Sequence, residues 1–143
     1  MDAANPDCPE VHLTNNAVQK QVAGYGQYED GNQLSYAQFQ QYLDSIPGNQ
    51  HNFYAEWLPR MKAITVQTLS AARKYLNDNN SKSGFELLGF DFMLDADFTT
   101  WLIEVNTNPW IEESSEMLKH YLRRMLNDML KLTLDKSFPE IKR

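Results

Sequence analysis

Asp91, Glu104 and Asn106 are the residues of this 143-residue chain whose types and spacing point most directly to chemistry. Each carries an oxygen donor, and each falls in a stretch that reads as a β-strand. Phe85-Glu-Leu-Leu-Gly-Phe-Asp-Phe-Met-Leu-Asp95 is rich in aromatic and branched residues, and so is Trp101-Leu-Ile-Glu-Val-Asn106. Asp95-Ala96-Asp97-Phe98 supplies a turn between them. If that turn pairs Ala96 with Thr99, Asp91 lies opposite Glu104 and Met93 opposite Leu102. Side chains two apart share a strand face. One face then carries Phe90, Phe92, Leu94, Trp101, Ile103 and Val105; the other carries Asp91, Met93, Leu102, Glu104 and Asn106.

Converging oxygen ligands suit a hard cation. Magnesium takes one or two carboxylates, keeps several waters and completes its shell with substrate phosphates. The alternative is that the acids are solvent-facing strand residues and that Asn106, followed by Asn108-Pro109, belongs to a turn. Against it, two carboxylates placed opposite each other repel unless a cation or hydrogen bonds intervene. Asp95 and Asp97 lack the glycine and closing glutamate of a calcium loop, and read as turn residues.

The elements that must position these groups follow from periodicity. Ser35 with Gln38 three residues on has the spacing of a capping box. Tyr36, Phe39, Tyr42, Leu43 and Ile46 then recur on one helical face until Pro47-Gly48. A second helix should begin near Trp57, with Pro59 in its first turn. Its stripe is Trp57, Leu58, Met61, Ile64, Thr65, Thr68, Leu69, Ala72 and Leu76. Asn77 to Ser81 read as a polar linker. A last helix, capped by Ser114 or Ser115 behind Glu112 and Glu113, presents Met117, Leu118, Tyr121, Leu122, Met125, Leu126, Met129 and Leu130. That stripe reads as core covering the sheet. Val11-His12-Leu13-Thr14 reads as a further short strand, and Gly24 to Asn32 as a loop with turns.

The fold class expected is α+β, a small antiparallel sheet packed by about three helices. Residues 1–10 read as a disordered lead-in, 11–139 as the folded unit and 140–143 as a tail. Acidic residues exceed basic ones, 19 against 13, and the formal net charge is −6. That balance argues against a nucleic-acid or anionic-membrane binder, which needs a basic face. No apolar run approaches the ~20 residues that span a bilayer. The single cysteine, Cys8, makes no internal disulfide, and a cytoplasmic setting is the default.

Several spaced segments together resemble the tubulin-tyrosine-ligase-like family. His12-Leu13-Thr14-Asn15, with Gln19-Lys20 behind it, is similar to that family's HLTN segment. Tyr25-Gly-Gln-Tyr-Glu-Asp-Gly-Asn32 is similar to the loop that follows. Phe90-Asp-Phe-Met-Leu-Asp95 and Trp101-Leu-Ile-Glu-Val-Asn-Thr-Asn-Pro109 resemble its most diagnostic block. The resemblance runs from about Val11 to Pro139. It implies an ATP-grasp fold and, for this chain, the carboxyl-terminal lobe of the catalytic domain. It also implies ligation of tyrosine, glutamate or glycine to tubulin carboxyl groups, with ATP and magnesium as cofactors and tubulin or microtubules as partner. Asp91, Glu104 and Asn106 become the implied magnesium ligands. His12, Leu13, Thr14 and Asn15 become implied ATP contacts, with Ile103 against the adenine. On residues alone, His12 reads as a hydrogen-bonded strand-end histidine.

The departures matter as much. The family's phosphate-binding lysines and arginine lie ahead of the HLTN segment, and Met1 to Val11 contain neither residue type. Two readings other than a tubulin ligase therefore stand beside it: a noncatalytic tubulin-binding module, and another ATP-grasp carboxylate–amine ligase. Lys119, His120, Arg123 and Arg124 form a basic patch on the last helix. It reads either as a solvated face or as an attractor for tubulin's acidic tail. The expected setting is cytoplasmic, on the cytoskeleton or in a cilium.

Overall fold

The computed structural model describes residues 9–76 and 84–138. The linker read at Asn77 to Ser81 and the tail at 140–143 lie outside the described residues, as does most of the lead-in. The order is α1 (Pro9–His12), α2 (Asn16–Gln19), a turn at Asp30–Asn32, α3 (Tyr36–Ser45), a π-helical turn at Phe53–Trp57, α4 (Leu58–Leu76), β1 (Gly89–Leu94), β2 (Thr100–Asn106) and α5 (Glu116–Ser137). Among the described residues it is an α+β arrangement with one two-stranded antiparallel sheet.

Local chemistry explains the helix boundaries. Ser35 Oγ accepts from the Gln38 backbone N–H, and the Gln38 side chain returns to the Ser35 N–H, so the capping box forms. Asn52 caps the π-helical turn that runs into α4, its Oδ1 accepting from Ala55 N at 2.9 Å. Phe53 and Trp57, four residues apart on this turn, share a face and both point inward. They make the core with Leu43, each of the three only 3% exposed, and Phe39, Leu58, Met61 and Leu94 close around them. Phe53 stacks on Tyr36 at 4.5 Å between ring centroids and meets Phe39 edge-on at 6.0 Å.

Three expectations are corrected. Val11–Thr14 is not a strand: Pro9 opens α1, where its missing N–H costs nothing, and Asn15 caps α2 directly afterwards. The α5 stripe is not core; Met117, Leu118, Leu122, Met125, Leu126 and Met129 are half-buried, and Tyr121 and Leu130 are exposed. The core formed instead where α3, the π-turn and the end of β1 meet. The third correction concerns register. Met93 pairs with Trp101, not Leu102, and Phe92 pairs with Leu102.

The register differs because two irregularities offset each other. The loop holds three residues, Ala96, Asp97 and Phe98, between Asp95 and Thr99, whose backbones bond to each other at 3.1 Å. Phe98 closes it with φ +60, a left-handed conformation that costs a non-glycine residue about 1–2 kcal/mol. Its ring recovers contact by packing at a tilt against His51 (4.3 Å) and stacking on Trp57 (5.5 Å). A β-bulge then takes up Ile103 as an extra residue, so that Asp91 meets Glu104 after all.

Candidate active site on the hairpin

Antiparallel pairing brings Asp91 and Glu104 directly opposite each other, on the face that is turned away from the core. Asn106 lies two residues beyond Glu104, and its Nδ2 donates to Glu104 Oε1 at 3.2 Å. Partial desolvation on the sheet face pushes the Asp91 carboxyl above the usual carboxylate range, and the charge and hydrogen bond of Glu104 push it further. A divalent cation between the two carboxylates would offset their mutual repulsion, so the donor set fits magnesium.

The backbone makes room for this group. Gly89 stands opposite Asn106, and a Cβ on it would come within 3.0 Å of Pro109 and 3.6 Å of the Asn106 Cβ. Glycine thus lets the Asn106–Pro109 segment fold closely over β1. Among the described residues there is no cluster of three or more His, Cys, Asp or Glu side chains able to hold a metal ion. Two carboxylates and an amide could supply only part of a cation's shell, the rest falling to water and substrate oxygens.

The other expected residues are placed less tightly. Ile103 is the bulged residue next to Glu104 and is 56% exposed. His12 ends α1, and Leu13 and Thr14 lie exposed in the connection to α2. Asn15 is occupied as a cap, its Oδ1 accepting from Ala17 N at 2.9 Å. Gln19 Nε2 donates to the Leu13 carbonyl at 2.6 Å. Lys20, just behind this segment, touches the chain beyond β2, its Nζ 5.0 Å from the centre of the Trp110 ring. The structure therefore brings Asp91, Ile103, Glu104 and Asn106 together on one hairpin. It places His12, Leu13, Thr14 and Asn15 on a separate element.

A cavity of about 620 Å³, lined by Phe39, Tyr42, Ile46, His51 and Phe98 among others, lies at the turn end of the hairpin and includes none of the carboxylates. His51 Nδ1 is held at 3.0 Å from Glu56 Oε2 at its edge. Asp95 reads in the sequence as a turn residue only, yet its carboxylate accepts three hydrogen bonds. Its Oδ1 accepts from Asp97 N and Thr99 N, and its Oδ2 from Trp101 Nε1.

The sequence model of the Tubulin-tyrosine ligase family matches residues 2–142. The chain is 35% identical over 127 residues to tubulin glycylase 3B of Tetrahymena thermophila, covering 89% of this chain and 10% of that protein. It is 30% identical over 131 residues to protein monoglycylase TTLL8 of Homo sapiens, covering 89% and 15% respectively. Protein polyglycylase TTLL10 of Macaca fascicularis is 28% identical over 130 residues, covering 87% and 21%. The chain thus spans between about a tenth and a fifth of the length of these relatives.

Proposed function

The chain belongs to the tubulin-tyrosine ligase family, and from that premise we propose that it carries the metal-binding part of an ATP- and magnesium-dependent ligase acting on tubulin. The reaction joins an amino acid to a tubulin carboxyl group. A carboxylate oxygen attacks the γ-phosphorus of ATP, ADP leaves, and the amine then displaces phosphate from the acyl phosphate. Glycine is the amino acid favoured, because the relatives carry the names tubulin glycylase, protein monoglycylase and protein polyglycylase. A cytoskeletal or ciliary setting goes with that substrate.

The observation that carries this reading is the Asp91–Glu104 pair, opposed across the hairpin with Asn106 bonded to Glu104. These three residues would hold magnesium, which when bound neutralises charge on the transferring phosphoryl group. Asn106 occupies Glu104 Oε1 and so fixes the orientation of that carboxylate. Ile103 offers exposed apolar surface beside it, suited to the adenine. Thr14 and the Asn15 Nδ2, which the cap leaves unused, would hydrogen-bond ribose or phosphate, and His12 and Leu13 complete that segment.

Manganese titration of the 143-residue chain, followed by paramagnetic broadening of backbone amide signals, tests the half-site. Broadening should centre on Asp91 and Glu104 and disappear in Asp91→Asn and Glu104→Gln. Broadening elsewhere, or none by a folded chain, rejects the half-site and leaves the noncatalytic tubulin-binding module.

A further inference from the structure

Asp91 and Met93 leave β1 on the same side, and Asp95, one residue past its end, continues that alternation. β2 has two ways to pair with this strand. In the observed one, the three-residue loop sets Met93 against Trp101, and Ile103 is taken up as a bulge before Glu104 meets Asp91. In the regular alternative Ala96 pairs with Thr99, no bulge is needed, and Met93 meets Leu102. Both arrangements keep Asp91 opposite Glu104. They differ in what flanks the pair.

Regular pairing would turn Trp101 and Ile103 to the side of Phe90 and Phe92, out of reach of Asp95. In the observed pairing Trp101 stands on the carboxylate side, and its Nε1 donates to Asp95 Oδ2 at 2.8 Å. Asp95 Oδ1 at the same time accepts from Asp97 N at 3.0 Å and Thr99 N at 2.8 Å, which fixes the loop length. Trp101 and Ile103 are each 56% exposed, although regular alternation would place both on the apolar side. Bulges of this kind re-aim side chains next to functional sites.

We propose that Asp95 is a positioning residue that holds β2 in its bulged register, keeping Trp101 and Ile103 beside the Asp91–Glu104 pair as an apolar wall for the base of a bound nucleotide. The use of that wall rests on the ligase reading; the pairing itself does not. Removing the lock should leave the cation half-site in place and spoil only its surroundings.

Cross-strand nuclear Overhauser contacts in the 143-residue chain read the register directly. The unaltered chain should show Met93–Trp101 and Phe92–Leu102. In Asp95→Ala these should give way to Met93–Leu102 and Phe92–Ile103, while Asp95→Asn, which keeps Oδ1 and its two backbone donors, should restore Met93–Trp101 as the major pairing. Manganese broadening at Asp91 and Glu104 should persist in Asp95→Ala, and Mg·ATP affinity should fall several-fold. A merely structural role would lower the melting temperature and leave the pairing unchanged, so Met93–Trp101 contacts in a folded Asp95→Ala chain overturn the proposal. If that variant does not fold, Trp101→Phe decides. A second set of peaks for Met93–Leu102 supports the lock, and a single set with the original pairing overturns it. An unaltered chain that binds no nucleotide rejects the ligase reading, and the register result still judges Asp95.

Discussion

Two carboxylates facing each other across a strand pair ask for a counter-charge, and that need was visible in the sequence as soon as the hairpin was drawn. Asp91 and Glu104 were legible because their spacing tolerates either pairing of β2. The contact between Asp95 and Trp101 was not legible, because a tryptophan in an alternating run reads as one more apolar residue. At Asp95 the Trp101 indole N–H, then the Thr99 backbone, hold the carboxyl below the usual carboxylate range. A depressed carboxylate pKa stabilises the fold above the unfolded-state value, near 3.8, and that contribution is lost as pH falls through the folded value. Carboxyl-carbon NMR should therefore place the Asp95 midpoint below 3.8, and Trp101→Phe should raise it. A midpoint unmoved by that substitution would show that the indole does not set it.

At the scale of elements, caps were the most readable signals. Ser35 with Gln38, and Ser115 ahead of α5, stand where the capping rule put them. The Val11–Thr14 expectation went the other way, since β-branched and apolar residues there were overruled by Pro9 and by the Asn15 cap. Removing the Ser35 cap as Ser35→Ala should cost about 1 kcal/mol in urea unfolding. Trp57→Ala, at a side chain 3% exposed in the core, should cost about 3–5 kcal/mol by the same measurement. Gly89 links element to site. A methyl group there would press on Pro109 at 3.0 Å, so Gly89→Ala should shift the Asn106 side-chain amide signals and weaken manganese binding several-fold. Unchanged amide shifts would mean that the close approach is not what holds Asn106.

Over the whole molecule, the polar loop rather than the apolar stripe fixes where α5 begins. Ser115 Oγ donates to Gln33 Oε1 at 2.9 Å, and the Glu116 N–H donates to Asp30 Oδ2 at 3.2 Å. Contacts that bridge more than eighty residues leave no periodic trace, which is why the amphipathic stripe of α5 alone suggested a deeper burial than the helix has. Tyr25 adds to this framework, its hydroxyl within hydrogen-bond distance of both Asn16 Oδ1 and the Gly31 carbonyl. The basic patch of α5 is also tempered by its neighbours. Lys119 pairs with Glu116 at 3.3 Å, Arg123 with Glu113 at 3.3 Å and Arg124 with Asp128 at 4.0 Å. Such exposed pairs are worth less than about 1 kcal/mol. Replacing Arg123 and Arg124 together by Glu should change stability by no more than about that amount in urea unfolding. The same double reversal should leave the salt dependence of microtubule cosedimentation unchanged, as expected of a solvated face.

The central claim is that Asp91 and Glu104 together form half of a magnesium–nucleotide site. Calorimetric titration of the chain with Mg·ATP, beside Asp91→Ala and Glu104→Ala, tests it most directly. Magnesium-dependent binding by the unaltered chain is expected, with at least a tenfold loss in each variant, about 1.4 kcal/mol or more. Equal binding by all three folded proteins, or binding that ignores magnesium, would contradict it.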